Sequence, residues 1–125
     1  MTRISVKSLF PITLLSVAAL LCGCVGSTMD TARSAAPSKT LSSLKPAQRV
    51  AECVEFTWQS EAMFGIEANA YLRRGADGRL TVYTREAAYF VDMLAQGTGT
   101  ALAFYAPAGA SDMTDRRLAA LATCL

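Results

Sequence analysis

Residues 75–78, Gly-Ala-Asp-Gly, separate two stretches in which apolar and polar residues alternate, and this most narrows the folds open to the chain. Upstream, IEANAYLRR (66–74) puts Ile66, Ala68, Ala70 and Leu72 on one side, with Glu67, Asn69, Tyr71 and Arg73 on the other. Downstream, RLTVYTR (79–85) alternates again. A period of two belongs to a half-buried strand, and a short Gly-rich link between two such runs makes a hairpin. Setting Leu72 against Val82 sends both into the core and places Tyr71 opposite Tyr83 on the outer face. A slip of one residue would turn every side chain over.

Two helical patterns flank this region. In PAQRVAECVEFTWQ (46–59), Val50, Cys53, Val54, Thr57 and Trp58 follow one helical face, with Gln48, Glu52, Glu55 and Gln59 on the solvent side. Pro46 suits a first helical turn. In SDMTDRRLAALATCL (111–125), Ser111 or Asp112 can cap the start, and Asp115 lies near the positive end of the helix dipole. Leu118, Leu121, Ala122 and Leu125 share a face, with Cys124 beside it.

Residues 87–96, AAYFVDMLAQ, admit two readings. Ala87, Phe90, Val91 and Leu94 have helical spacing, with Thr84 as a cap and Gly97 as a stop. As a strand joined by QGTG to TALAFYA (100–106), the same segment pairs Val91 with Phe104 and Met93 with Leu102, all inward, and turns Asp92 outward. That register buries no charge, which favours it. The expected fold is then α+β: an N-terminal helix, an antiparallel meander of about four strands and a C-terminal helix, in a two-layer sandwich.

The start of the chain carries an address. MTRISVKS is short and basic, and LFPITLLSVAALL after it has secretory h-region length, well below the ~20 residues of a membrane-spanning helix. Leu21-Cys22-Gly23-Cys24 resembles the lipobox of bacterial lipoproteins, with Leu at −3, a small residue at −1 and the cysteine to be lipidated. The resemblance implies cleavage after Gly23 (a signal peptide of residues 1–23) and acylation of Cys24, whereas Cys22 leaves with the leader. Two acyl chains make a stable membrane anchor, each buried methylene contributing about 0.8 kcal/mol. Val25, where Gram-negative lipoproteins retained in the inner membrane commonly carry Asp, implies the periplasmic face of the outer membrane.

Residues 24–45 are rich in Ser, Thr, Ala and Gly, without an apolar period, and read as the lipidated cysteine and a flexible tether. The domain would then be residues 46–125. Cys53 and Cys124 remain, and in an oxidising periplasm such a pair is most simply a disulfide. Closing a loop of roughly 70 residues contributes about 4 kcal/mol in the chain-entropy model, a large share for a small core. The domain is also similar, through RVAECVEFTWQ, YFVDM and LATCL, to small uncharacterised Gram-negative lipoproteins that face the periplasm. That resemblance implies no activity.

Composition excludes much chemistry. The chain has no histidine, which removes the commonest general base, the commonest zinc ligand and any Ser-His or Cys-His pair. Arg3 and Lys7 are two of the twelve basic residues and fall in the leader, while all ten acidic residues follow it, so the remainder is neutral. A neutral chain has no overall field to draw in nucleic acid, and none is expected as a partner. Asp92 and Glu67 are the nearest approach to paired carboxylates, and nothing in their spacing brings them to catalytic separation. Gly75 and Gly78 open no helix that would cradle phosphate. The expectation is a non-enzymatic protein with no metal or cofactor.

Its surface suggests binding instead. Tyr71, Tyr83, Phe90 and Tyr105 would line the outer sheet face, edged by Arg73 and Arg85, and aromatics with Arg are typical of protein interfaces. Arg73, Arg74 and Arg79 also crowd the first hairpin. The favoured expectation is an anchored lipoprotein binding another envelope protein through this face. The alternatives are a small-ligand or lipid-binding lipoprotein with an apolar cavity near Trp58, and an immunity or exclusion lipoprotein.

Overall fold

A computed structural model describes residues 23–109 and 111–125; the leader, Cys22 included, lies outside the described residues apart from Gly23. The elements in chain order are α1 (Gly23–Arg33), β1 (Lys39–Ser43), α2 (Ala47–Ser60), β2 (Ala70–Arg74), β3 (Leu80–Thr84), β4 (Phe90–Gln96), β5 (Gly99–Tyr105) and α3 (Asp112–Ala122). Short 3-10 turns follow α2 (Glu61–Phe64) and β3 (Arg85–Ala87). The fold is α+β, built on one five-stranded antiparallel sheet in the order β1-β5-β4-β3-β2.

The expected pairings are present. Leu72 faces Val82 and Tyr71 faces Tyr83, and residues 87–96 supply a strand in which Val91 pairs with Phe104 and Met93 with Leu102. The β4–β5 connection is tighter than a four-residue loop, because Gln96 pairs with Gly99. Gly97 takes φ 60° in the two-residue turn, a conformation glycine adopts without steric cost. Strand β2 is shorter than the alternating run that contains it, since pairing begins at Ala70.

Inward residues of four strands (Leu72, Leu80, Val82, Val91, Met93, Leu102, Phe104) pack against Val50, Val54 and Trp58 of α2 and Leu121 of α3. Trp58 is fully buried, edge-on to Phe104 at 6.4 Å, and its indole N–H donates to the Arg117 carbonyl at 3.1 Å. Cys53 and Cys124 form a disulfide with Cα atoms 5.7 Å apart, tying α2 to the end of α3. Ser111 caps α3, its side chain accepting the Thr114 amide at 3.1 Å.

The segment expected to be a flexible tether is ordered structure, which corrects the boundaries drawn at residues 24–45 and 46–125. Val25, Met29 and Ala32 of α1 recur at helical spacing and pack on Phe90, Tyr83, Tyr105 and Ala87, on the sheet face away from α2. Between them lie Gly, Ser and Thr, weak helix formers that conceal the stripe, so packing rather than propensity sets this helix. The other half of the segment becomes β1, pairing with β5 from Lys39↔Phe104 to Ser43↔Thr100. Leu41 is its one apolar residue, and Ser43, the buried residue on the same side, is polar, so no alternation was visible. The sheet therefore has five strands instead of four, and α1 adds a partial third layer.

Two polar residues of α2 assigned to solvent bond the free edge of the sheet. Glu55 Oε2 accepts the Leu72 amide at 2.6 Å, and Gln59 Nε2 donates to the Ala70 carbonyl at 2.9 Å. They occupy backbone groups of the edge strand β2 that would otherwise template another chain.

Candidate functional site

The aromatic face is present but largely covered, which corrects the expectation of an open surface. Phe90 is buried beneath α1 and stacks on Tyr105, centroids 4.5 Å apart and planes within 8°. Tyr83 is half-buried, and Tyr71, beside it at 5.4 Å, stays substantially exposed. Arg73 and Arg85 are exposed at the margin, Arg85 at the start of the 3-10 turn after β3. What the residues built was a docking seat for a helix of the same chain.

At the centre of that seat is a charge the sequence reading had placed in solvent. Asp92 does point to the outer face, but α1 seals it to 6% exposure. The Arg33 guanidinium grips it with two bonds, Nε to Oδ2 and Nη2 to Oδ1, both 2.7 Å. The Thr81 hydroxyl donates to Oδ1 at 2.7 Å, and Arg33 lies over the Phe90 ring, 5.2 Å from its centroid. The hydrogen bonds it donates to Asp92 raise the Arg33 pKa above its ordinary value, against a smaller opposing effect of burial. Burial, helped by the Asp92 charge, likewise raises Tyr105 above 10.0. Glu67, the other carboxylate weighed as a catalytic partner, is exposed and bonded by Asn69, so the two have unrelated environments.

Beside this contact, α1 and the β2–β3 hairpin enclose a hollow of about 320 Å³. Arg33, Arg73 and Arg79 line it together with Asp30 and Asp77. Arg79 reaches Asp92 at 3.8 Å and Asp77 at 4.0 Å. Of the three hairpin arginines, Arg79 is the one with carboxylate neighbours among the described residues, while Arg74 donates to the Gln48 side chain at 2.8 Å.

The helical side of the molecule carries a different surface. Met63 is 87% exposed, Phe64 74% and Phe56 71%, a concentration of bare apolar side chains along α2 and the turn after it. Met63 and Phe64 line a mostly apolar groove of about 410 Å³ between that turn and α3, together with Thr57, Ser60, Ala119 and Ala120 among others. Contiguous exposed apolar surface of this kind marks an interaction site more often than chance exposure.

One wall of the groove is Glu61, the first residue of the 3-10 turn and 6% exposed. Its nearest cation is Arg117, whose Nη1 lies 3.8 Å from Oε1, beyond hydrogen-bonding distance. Among the described residues neither carboxylate oxygen has a hydrogen-bond donor. Arg117, itself 3% exposed, spends its donors on the Glu67 carbonyl at 3.0 Å and the Trp58 carbonyl at 3.4 Å, and stacks over the Trp58 ring at 5.6 Å. Sequence reading missed Glu61 and Arg117, since each looks like one more charge on an amphipathic helix. Arg33 and Met29 did leave a faint signal, the spacing of Val25, Met29 and Ala32 ahead of a basic helix end.

Among the described residues no three His, Cys, Asp or Glu side chains come together to hold a metal ion, and no helix is long and apolar enough to cross a membrane. Cys24 is exposed in the first turn of α1. In comparisons with known proteins no family model, no curated protein and no solved structure matches the chain.

Proposed function

We propose that this chain is a lipoprotein anchored through Cys24 in the periplasmic face of the outer membrane, and that its folded domain binds another envelope protein without catalysing a reaction. The basic start, the apolar run and Leu21-Cys22-Gly23-Cys24 support the anchor, and the exposure of Cys24 at the head of α1 is compatible with acylation. The single observation that carries the binding role is the bare pair Met63 and Phe64 lining the apolar groove, with Phe56 also exposed on α2. This reading moves the contact surface from the aromatic sheet face, which α1 occupies, to the helical side.

Metabolic labelling with palmitate and photocrosslinking from residue 63 in intact cells test the two halves. Label on the wild type that disappears in Cys24→Ala supports the anchor, and unlabelled wild type sinks it. A defined crosslinked partner lost on Phe64→Ser supports the binding surface, whereas crosslinks indifferent to Phe64 rule that surface out.

A further inference from the structure

The hollow between α1 and the β2–β3 hairpin is lined by both signs of charge, and these groups are not all matched to one another. Arg33 spends its donors on Asp92, Asp30 and the Thr81 hydroxyl. Arg73 is exposed and has neither a hydrogen bond nor an ion pair among the described residues. Asp30 accepts from Arg33 through Oδ1, and Asp77 accepts the Arg79 amide through Oδ1. Among the described residues the second oxygen of each has no hydrogen-bond donor, and both carboxylates are open to solvent.

The hollow also lies beside the proposed anchor. Gly26, which lines it, follows Cys24 by two residues, about 3 Å along a helix axis whatever the helix tilt. Arg73 Nη1 lies 3.7 Å from the point where a Cβ on Gly26 would stand. The polar headgroup layer is on the order of 5–8 Å deep on each membrane face. With Cys24 acylated, the unpaired guanidinium stands at the level of the lipid phosphates.

We infer that this hollow receives the headgroup of a zwitterionic phospholipid, its phosphodiester on Arg73 and its primary ammonium on the Asp30 and Asp77 carboxylates. This deepens the anchoring half of the reading above and rests on it. The planar fork of arginine matches two phosphate oxygens at once. The lining decides the rest of the headgroup. Arg33, Arg73 and Arg79 are offset by Asp30, Asp77 and, behind them, Asp92, so the hollow has no net charge. A purely anionic headgroup would set its charge against two carboxylates, whereas an ammonium supplies them with donors. A quaternary amine has no N–H to give. The chemistry is that of phosphoethanolamine, and the neighbouring anchor makes a phospholipid its source.

The test uses the full-length protein isolated from membranes in non-ionic detergent, titrated with glycerophosphoethanolamine. The comparison probes are glycerophosphoglycerol, which keeps the diester without the amine, and ethanolamine, which keeps the amine alone. Amide chemical shifts of Gly26, Gly75 and Ala76 report binding. Glycerophosphoethanolamine is expected to bind about tenfold more tightly than either comparison probe. Arg73→Gln, which breaks no contact among the described residues, should bring it down to the level of ethanolamine. Asp30→Asn with Asp77→Asn should equalise it with glycerophosphoglycerol, α1 still being held by the Arg33–Asp92 pair. In nanodiscs of phosphatidylcholine the same amides should shift when phosphatidylethanolamine is included, and not with phosphatidylglycerol.

Equal binding of the three probes, or a preference that survives Arg73→Gln, overturns the inference. So does a selective probe whose shifts phosphatidylethanolamine nanodiscs fail to reproduce, which assigns the hollow to a soluble phosphoester. A palmitate-labelled wild type without probe selectivity defeats the headgroup site and leaves the anchor standing. Selectivity on a wild type that takes no palmitate defeats the anchor, and with it the lipid source.

Discussion

Arg33 and Asp92, 59 positions apart in sequence, meet in a two-pronged ion pair that fastens α1 across the outer face of the sheet. The pair is 15% and 7% exposed at the side-chain level, so it acts in a drier medium than a surface bridge. Arg33→Ala leaves Asp92 with the Thr81 hydroxyl and a distant Arg79, and peeling α1 away to rehydrate the carboxylate limits the damage. The expected loss is about 2 kcal/mol. Hydrogen exchange should show residues 25–32 losing protection before the strands; unchanged protection there would mean that α1 is held by Met29 and its apolar neighbours alone.

Replacing Cys53 and Cys124 with serine removes a link that closes 71 positions of sequence. The expected destabilisation is about 4 kcal/mol in the chain-entropy model, within a range of roughly 2–5. Urea unfolding followed through the buried Trp58 measures it, and a midpoint that does not move would contradict the prediction.

Glu86 and Ala87 adopt left-handed backbone, with φ 58° and 54°, in the turn that presents Ala87 to α1. A non-glycine residue there costs roughly 1–2 kcal/mol, part of which glycine returns by gaining freedom in the unfolded chain. Glu86→Gly should therefore stabilise the fold by about 0.5–1 kcal/mol, visible as a higher thermal midpoint. Destabilisation would show that the Glu86 side chain makes a compensating contribution.

Gly99 demonstrates the opposite constraint. A Cβ there would run into the carbonyl oxygen of Ser43, which is backbone and cannot rotate aside. Gly99→Ala should cost about 2 kcal/mol or more through this overlap, with exchange of the β1 amides accelerating first. A neutral outcome would require the β1–β5 pairing to shift without loss.

Stability should also fall on the alkaline side. Tyr105 holds its proton more tightly when folded because it is partly buried and faces the Asp92 charge. A group whose folded pKa is raised contributes stability that is complete below its unfolded value and is lost as pH climbs through the folded one. For Tyr105 that window opens near pH 10.0. Tyr105→Phe should flatten the decline above this point, and an unchanged slope would place its origin elsewhere.

The central sheet was readable because each strand paired there has one clearly apolar side. Leu72, Val82, Val91, Met93, Leu102 and Phe104 allowed one register that put all of them in the core, and the structure has that register. The cysteine pair was equally legible, since only two thiols remained for the domain. What escaped was structure whose cause lies in a partner element. β1 offers one apolar residue and is a strand because β5 needs its edge paired. α1 is built from weak helix formers and exists because an aromatic face waits for Met29. Asp92 looked exposed because a strand pattern reports which face a residue takes, not whether another layer covers it. Glu61 has no sequence signature, because its character comes from the groove around it.

The ordering of α1 also has a mechanical meaning. A load applied at Cys24 enters a helix of 11 residues rather than slack chain, and passes to the sheet through Met29 and the Arg33–Asp92 clamp. On the proposed anchoring through Cys24, the domain would ride on a stiff strut with its attitude to the membrane set. Rupture of that clamp would release the segment up to β1 as a leash on the order of 20 Å long, so one ion pair governs both the reach and the steering of the groove on the far side.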